Sequence, residues 1–188
     1  MTLFEYLAVA FSIVLGFSLT HLLGSVRDIF DSDRRHSVHI GYFFFLLLLH
    51  PQLWWALWDL HDDAPWNLFT FLFTLAGPGL LYLMVTSAVP LDRTKISSWE
   101  EHFVSSRRWI YGFTAAYAVW GIGEVYWVFG VPLMHPYRIV QASFLLVAIA
   151  AASLPSPRMD RIAVTLMLMI VIGGQIIFRV NPGAYLTG

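Results

Sequence analysis

The chain has 188 residues, 58% of them hydrophobic and only 12% charged, with a formal net charge of −1 and a mean hydropathy of +0.67. Soluble domains carry about 25% charged residues, so the deficit points to a bilayer as the solvent, and the near-zero net charge leaves no electrostatic footprint for nucleic acid. The absence of cysteine excludes disulfides, thiolate metal sites, iron–sulfur clusters and cysteine nucleophiles.

Apolar windows of about 20 residues predict six transmembrane helices, over 3–24, 38–60, 67–89, 108–128, 137–155 and 161–180. The loops between them are short, so residues 1–188 read as one all-α, polytopic membrane domain. No basic stretch precedes Leu3, and Glu5 stands where one would be. The first segment is therefore expected to be a retained helix, not a cleaved signal. The longest connection, Pro90 to Arg107, is polar and has room for a short surface helix around 97–104. Arg27, Arg34, Arg35, Arg93, Lys95, Arg107, Arg108, Arg158 and Arg161 all fall on one side, against Arg138 and Arg179 on the other. The positive-inside bias then puts both termini outside, N-out and C-out.

In the first segment, Ser12, Gly16 and Thr20 recur every four residues, the spacing of a helix-packing seam in lipid, and Glu5 lies close to that stripe. His39 and His50 of the second segment and His61 just past its end recur at eleven-residue intervals. Eleven residues is about three helical turns, so the three rings share a stripe with neighbours ~16 Å apart. His50 falls near the midplane, where a titratable group is costly unless it faces protein or water. Trp54 follows one turn later. This H-x-x-x-W spacing resembles that of a small viral proton channel, in which the imidazole relays protons and the indole gates them. Pro51 cannot donate to the Leu47 carbonyl and predicts a kink. Asp59, with His61, Asp62 and Asp63, makes the following loop acidic.

The third segment contains Gly77-Pro78-Gly79 at a depth matching Pro51. Paired helix interruptions near the midplane point to a binding site in transporters. Arg107 and Arg108 open the fourth segment, placed for lipid headgroups or an anion. Glu124 lies in its outer third, expected to meet Arg179 of the sixth segment. An acidic outer face of this kind concentrates cations.

Phe4-Glu5-Tyr6 with Leu15-Gly16 and Thr20, His50 with Trp54-Trp55, and Arg107-Arg108-Trp109 together resemble a group of uncharacterised bacterial inner-membrane proteins. The resemblance implies the multi-pass fold and carries no activity. The leading expectation is a channel or small transporter that conducts protons or cations along a pathway lined by histidine and tryptophan. Its partners would be the lipid bilayer, the ion itself and further copies of the chain in a homo-oligomer. The alternatives are a non-catalytic partner or assembly subunit, or a haem b redox protein with His21 and His39 as axial ligands. A membrane enzyme acting on lipid stands behind these, because no nucleophile elbow, zinc helix or P-loop is present. No cofactor or metal is assigned.

Overall fold

The computed structural model describes residues 3–31, 33–58 and 66–178, which form helices and no strand. In chain order these are α1 (Leu3–Leu23), α2 (Val26–Ile29), α3 (Ser37–Trp58), α4 (Leu68–Ala88), α5 (Trp99–Trp127), α6 (Tyr137–Ser153) and α7 (Pro157–Phe178). Leaving aside the single turn of α2, each helix coincides with one of the six expected segments. The boundaries differ most at α5, whose 29 residues start at Trp99. The polar stretch expected to hold a separate surface helix is instead its first turns. At ~1.5 Å per residue α5 is ~43 Å long, more than the ~30 Å hydrocarbon thickness.

Four segments are long and apolar enough to cross a membrane: Phe4–Ile29, Ser37–Trp58, Leu68–Ala88 and Pro157–Ile177. Their outward faces are apolar too. Val9, Ile13 and Phe17 of α1 and Met169, Ile172 and Ile176 of α7 are exposed. Belts of this kind need an apolar solvent, so the chain is a membrane-embedded helical protein.

The helices pack as a ring in the order α1, α4, α5, α6, α7, α3 and back to α1, and α3 also touches α4 and α5. This central helix divides the interior into a side shared with α1 and α4 and a side shared with α5, α6 and α7. Tyr42, Phe45, Leu46 and Leu49 of α3 are buried along its length. One end of the bundle collects the basic residues and is heavily cross-tied. There Arg93 Nε donates to Asp28 Oδ2 at 2.8 Å, and the Trp99 indole donates to the Asp28 carbonyl at 2.8 Å. Arg34 Nη1 reaches the Ile96 carbonyl at 3.3 Å. The α1–α3 and α4–α5 connections therefore share this end, as the distribution of basic residues predicts.

The two expected interruptions are continuous helix. α3 runs through Pro51 and α4 runs through Gly77-Pro78-Gly79. A packing contact accounts for the second motif. The Trp120 indole of α5 lies against Gly77, where a Cβ would overlap the ring. Its Nε1 donates to the Phe73 carbonyl at 2.7 Å. Pro78 lacks the N–H that would bond Thr74, which loosens the ladder beside that carbonyl. Glycine here makes room for an indole, and proline eases the backbone toward it. Gly77→Ala is accordingly expected to destabilise the protein by about 1–3 kcal/mol, the range for overpacking. Trp120→Phe in the same chain should recover part of the loss, read as the unfolding midpoint in detergent.

Candidate functional site

From Arg107 onward, five polar side chains of α5 are buried or half-buried. From the basic end these are Arg107, Tyr111, Thr114, Tyr117 and Glu124, spaced three, four or seven residues apart. Arg107 Nε donates to Asp160 Oδ1 at 2.9 Å, and Nη2 bonds the other carboxylate oxygen. The Tyr111 hydroxyl donates to Asp160 Oδ1 at 3.2 Å. Asp160 sits in the first turn of α7 and is 2% exposed, so a fork-shaped pair is closed off from solvent. One turn deeper, the Thr114 hydroxyl donates to the Ile110 carbonyl at 2.7 Å. The Tyr42 hydroxyl of α3 therefore donates to Thr114 Oγ1, at 2.7 Å.

Toward the opposite end lies a cavity of about 90 Å³ between α3, α5, α6 and α7, room for a few water molecules. Glu124 is the one charged residue in its described wall and is buried. Tyr117, Trp120, Tyr137 and Phe144 supply aromatic surface, and Gln52 and Gln141 supply amides. Gln141 is fixed, its Nε2 donating to the Gly121 carbonyl at 2.8 Å and its Oε1 accepting from Arg138 at 2.8 Å. Gln52 Oε1 is buried with no hydrogen-bond partner among the described residues. Arg138 also donates to the carbonyls of Ile122, Val131 and Pro132, closing the junction of α5 and α6.

The residues of the expected histidine pathway lie elsewhere. His50 is buried on the α1 side of α3. Its Nδ1–H donates to the Leu46 carbonyl at 2.8 Å, and its Nε2 is 2.9 Å from Ser18 Oγ of α1. In the neutral ring Nε2 accepts the serine proton, and both nitrogens are then satisfied. Trp54 is 47% exposed and tilts against Phe11 at 6.4 Å between ring centroids. Asp59, His61, Asp62, Asp63 and Arg179 lie outside the described residues, and with them the expected Glu124–Arg179 pair. Glu5 is exposed, as are Gly16 and Thr20, while Ser12 is half-buried and returns its hydroxyl to the Ala8 carbonyl. The small-residue stripe thus faces away from the bundle. Arg107 is turned inward to Asp160, whereas Arg108 lies over the Trp109 ring at 5.4 Å.

His39, expected at an interface, is buried in an aromatic cluster at the basic end. It stacks on Trp99 at 4.5 Å and meets His102 at 6.3 Å. His21, the other proposed haem ligand, bonds the Val89 carbonyl through Nε2 at 2.7 Å. His102 Nε2 donates to the Ala88 carbonyl at 3.0 Å. Among the described residues no three His, Asp or Glu side chains converge as a metal-ligand set. Burial holds the imidazoles of His36 and His102 below the ordinary histidine range. For His36 this outweighs the nearby charges of Glu100 and Asp160, and for His102 it outweighs the carbonyls of Ala88 and Ser87.

Comparison with known proteins finds no match: no family model, no curated protein and no solved structure is similar to this chain. Function is therefore read from the chain's own geometry. What spacing misses is Asp160, 53 residues from Arg107 in sequence, since nothing local joins the two.

Two outcomes follow from these contacts. Asp160→Asn leaves the Arg107 charge buried without its partner and should cost about 3–5 kcal/mol, while Arg107→Met with Asp160→Leu should restore most of it. Denaturant titration in detergent reads both. His36 and His102 are protonated less readily folded than unfolded, so the stability they contribute is complete above 6.5, the ordinary histidine value, and is lost as the pH falls below it. The unfolding midpoint should drop between about pH 7.5 and about pH 5, with a shallower slope in the His36→Gln, His102→Gln double variant.

Proposed function

We propose that this chain moves protons across a membrane along the inward half of α5. In this reading all six long helices cross the bilayer. The basic end lies in the cytoplasm, both termini lie outside, and the membrane is the bacterial inner one. The observation that carries the reading is the placement of the α5 polar groups. They begin at a cavity containing a carboxylate and end at the buried Arg107–Asp160 pair. Glu124 and Arg107 are 17 residues apart, ~26 Å along the helix, close to the ~30 Å hydrocarbon thickness. A buried ionisable group at membrane depth is a functional candidate by default.

Glu124 takes a proton from the outer cavity, whose wall it shares with Tyr117. The Tyr42–Thr114 hydroxyl pair lies next, then the Tyr111 hydroxyl on Asp160. Between these groups the interior is filled by Phe45, Leu49, Ala118 and Met167, all buried. A hydrated metal ion needs an open bore, whereas a proton needs only hydroxyls and occasional water, so the packing favours proton over cation. His50 lies on the other face of α3 with both ring nitrogens engaged, which is why the route is assigned to α5 instead of the His50–Trp54 stripe.

The test is proton uptake by liposomes loaded with a pH-sensitive dye under an imposed potential. Glu124→Gln is expected to abolish uptake, and Thr114→Val or Tyr111→Phe to slow it by about tenfold, equivalent to ~1.4 kcal/mol of barrier. Trp54→Phe should leave it unchanged. Uptake that survives Glu124→Gln and disappears in His50→Gln would return the route to the histidine stripe.

A further inference from the structure

The wall of the Glu124 cavity has a chemical bias that proton transport alone does not require. Among its described lining residues the one charged group is the Glu124 carboxylate, and the rings around it belong to Tyr117, Trp120, Tyr137 and Phe144. Aromatic faces carry negative potential and attract cations, most strongly where water is excluded. The Trp120 indole N–H is spent on the Phe73 carbonyl, which holds the ring in place beside Tyr117, 5.3 Å away between centroids. Both polar ends of Gln141 are likewise committed. The Gln52 Oε1, with no partner among the described residues, adds an acceptor. Carboxylate, amide oxygen and aromatic faces together suit a ligand that is positive, partly apolar and able to donate hydrogen bonds.

We propose that the cavity binds a small organic ammonium ion, and that this ion and a proton take turns on Glu124. The inference rests on the reading of Glu124 as the proton-carrying group. An ammonium ion arriving at protonated Glu124 displaces its proton to the outer water and pairs with the carboxylate left behind. A returning proton releases the ammonium ion. No bond other than O–H changes, and charge is conserved at each exchange. Two cations competing for one carboxylate cannot occupy it together, and that competition is the physical basis of exchange transport. The cavity volume of about 90 Å³ limits the ligand to a few heavy atoms.

Methylammonium chloride is the probe. It is titrated into the purified full-length protein in detergent by calorimetry, in two buffers of different ionisation heat, so that binding and proton release are read together. Sodium chloride is the control. The expected result is saturable methylammonium binding with proton release, absent with sodium. Glu124→Gln should weaken binding by about tenfold or more, the loss of one charged contact. Gly121→Val, which narrows the cavity without touching the carboxylate, should weaken it as well. That second variant keeps the test usable where Glu124→Gln fails to fold. Binding without proton release, or binding equal in both variants, would overturn the exchange. Absence of methylammonium binding, alongside proton uptake that Glu124→Gln still abolishes, would remove the ammonium ion and leave the proton route standing. Loss of both would remove both.

Discussion

The Asp160 carboxylate, gripped by Arg107 and bonded by Tyr111, draws α5 and α7 together at one end of the bundle. These two helices are separated in the ring by α6 on one side and α3 on the other, so long polar side chains must span the gap. Toward the opposite end Arg138 joins α5 to α6, and the cavity at Glu124 lies between these helices, α3 and α7. In a bilayer a charge cannot be left to solvent. The pair thus sets where the helices close, and the cavity marks where they do not.

Much of the fold was legible because length and apolarity are what a bilayer selects. Six segments read from hydropathy coincide with six helices, with ends moved by a few residues except at Trp99. Facing was not legible. A helix between lipid and an apolar core is hydrophobic all round, so periodicity does not say which side turns inward. The Ser12–Gly16–Thr20 stripe and the Trp54 ring face outward although their spacing is that of contact residues. Gly77-Pro78 reads as a break when the partner indole, 43 residues on in sequence, is unknown. His39 stands at the segment end that hydropathy assigns to an interface, yet the first turns of α5 bury it under Trp99.

The candidate site was half visible for the same reason. Glu124 stood out because a carboxylate within an apolar run is rare, and Arg107 because it opens a segment. Their common face on α5 is implicit in their spacing, but the tyrosines and threonine between them look like ordinary membrane residues until α3 and α7 are placed. His50 drew attention through its depth and its tryptophan neighbour. Its contacts make it a tie between α1 and α3 through Ser18, using the polarity of imidazole for attachment. Proton traffic and helix attachment ask for the same residue types. Only the number of bonds already filled distinguishes them.

Arg138 carries a consequence of a different kind. It is a buried guanidinium at the end away from the Arg107–Asp160 pair, and its donors go to oxygens at the α5–α6 junction. Those carbonyls crowd the C-terminal end of α5, where the helix macrodipole is negative. The hairpin of α5 and α6 therefore brings its own counter-charge with its arginine. Arg138 is thus held by backbone and amide oxygens of its own hairpin, so its burial does not wait on a carboxylate from another helix.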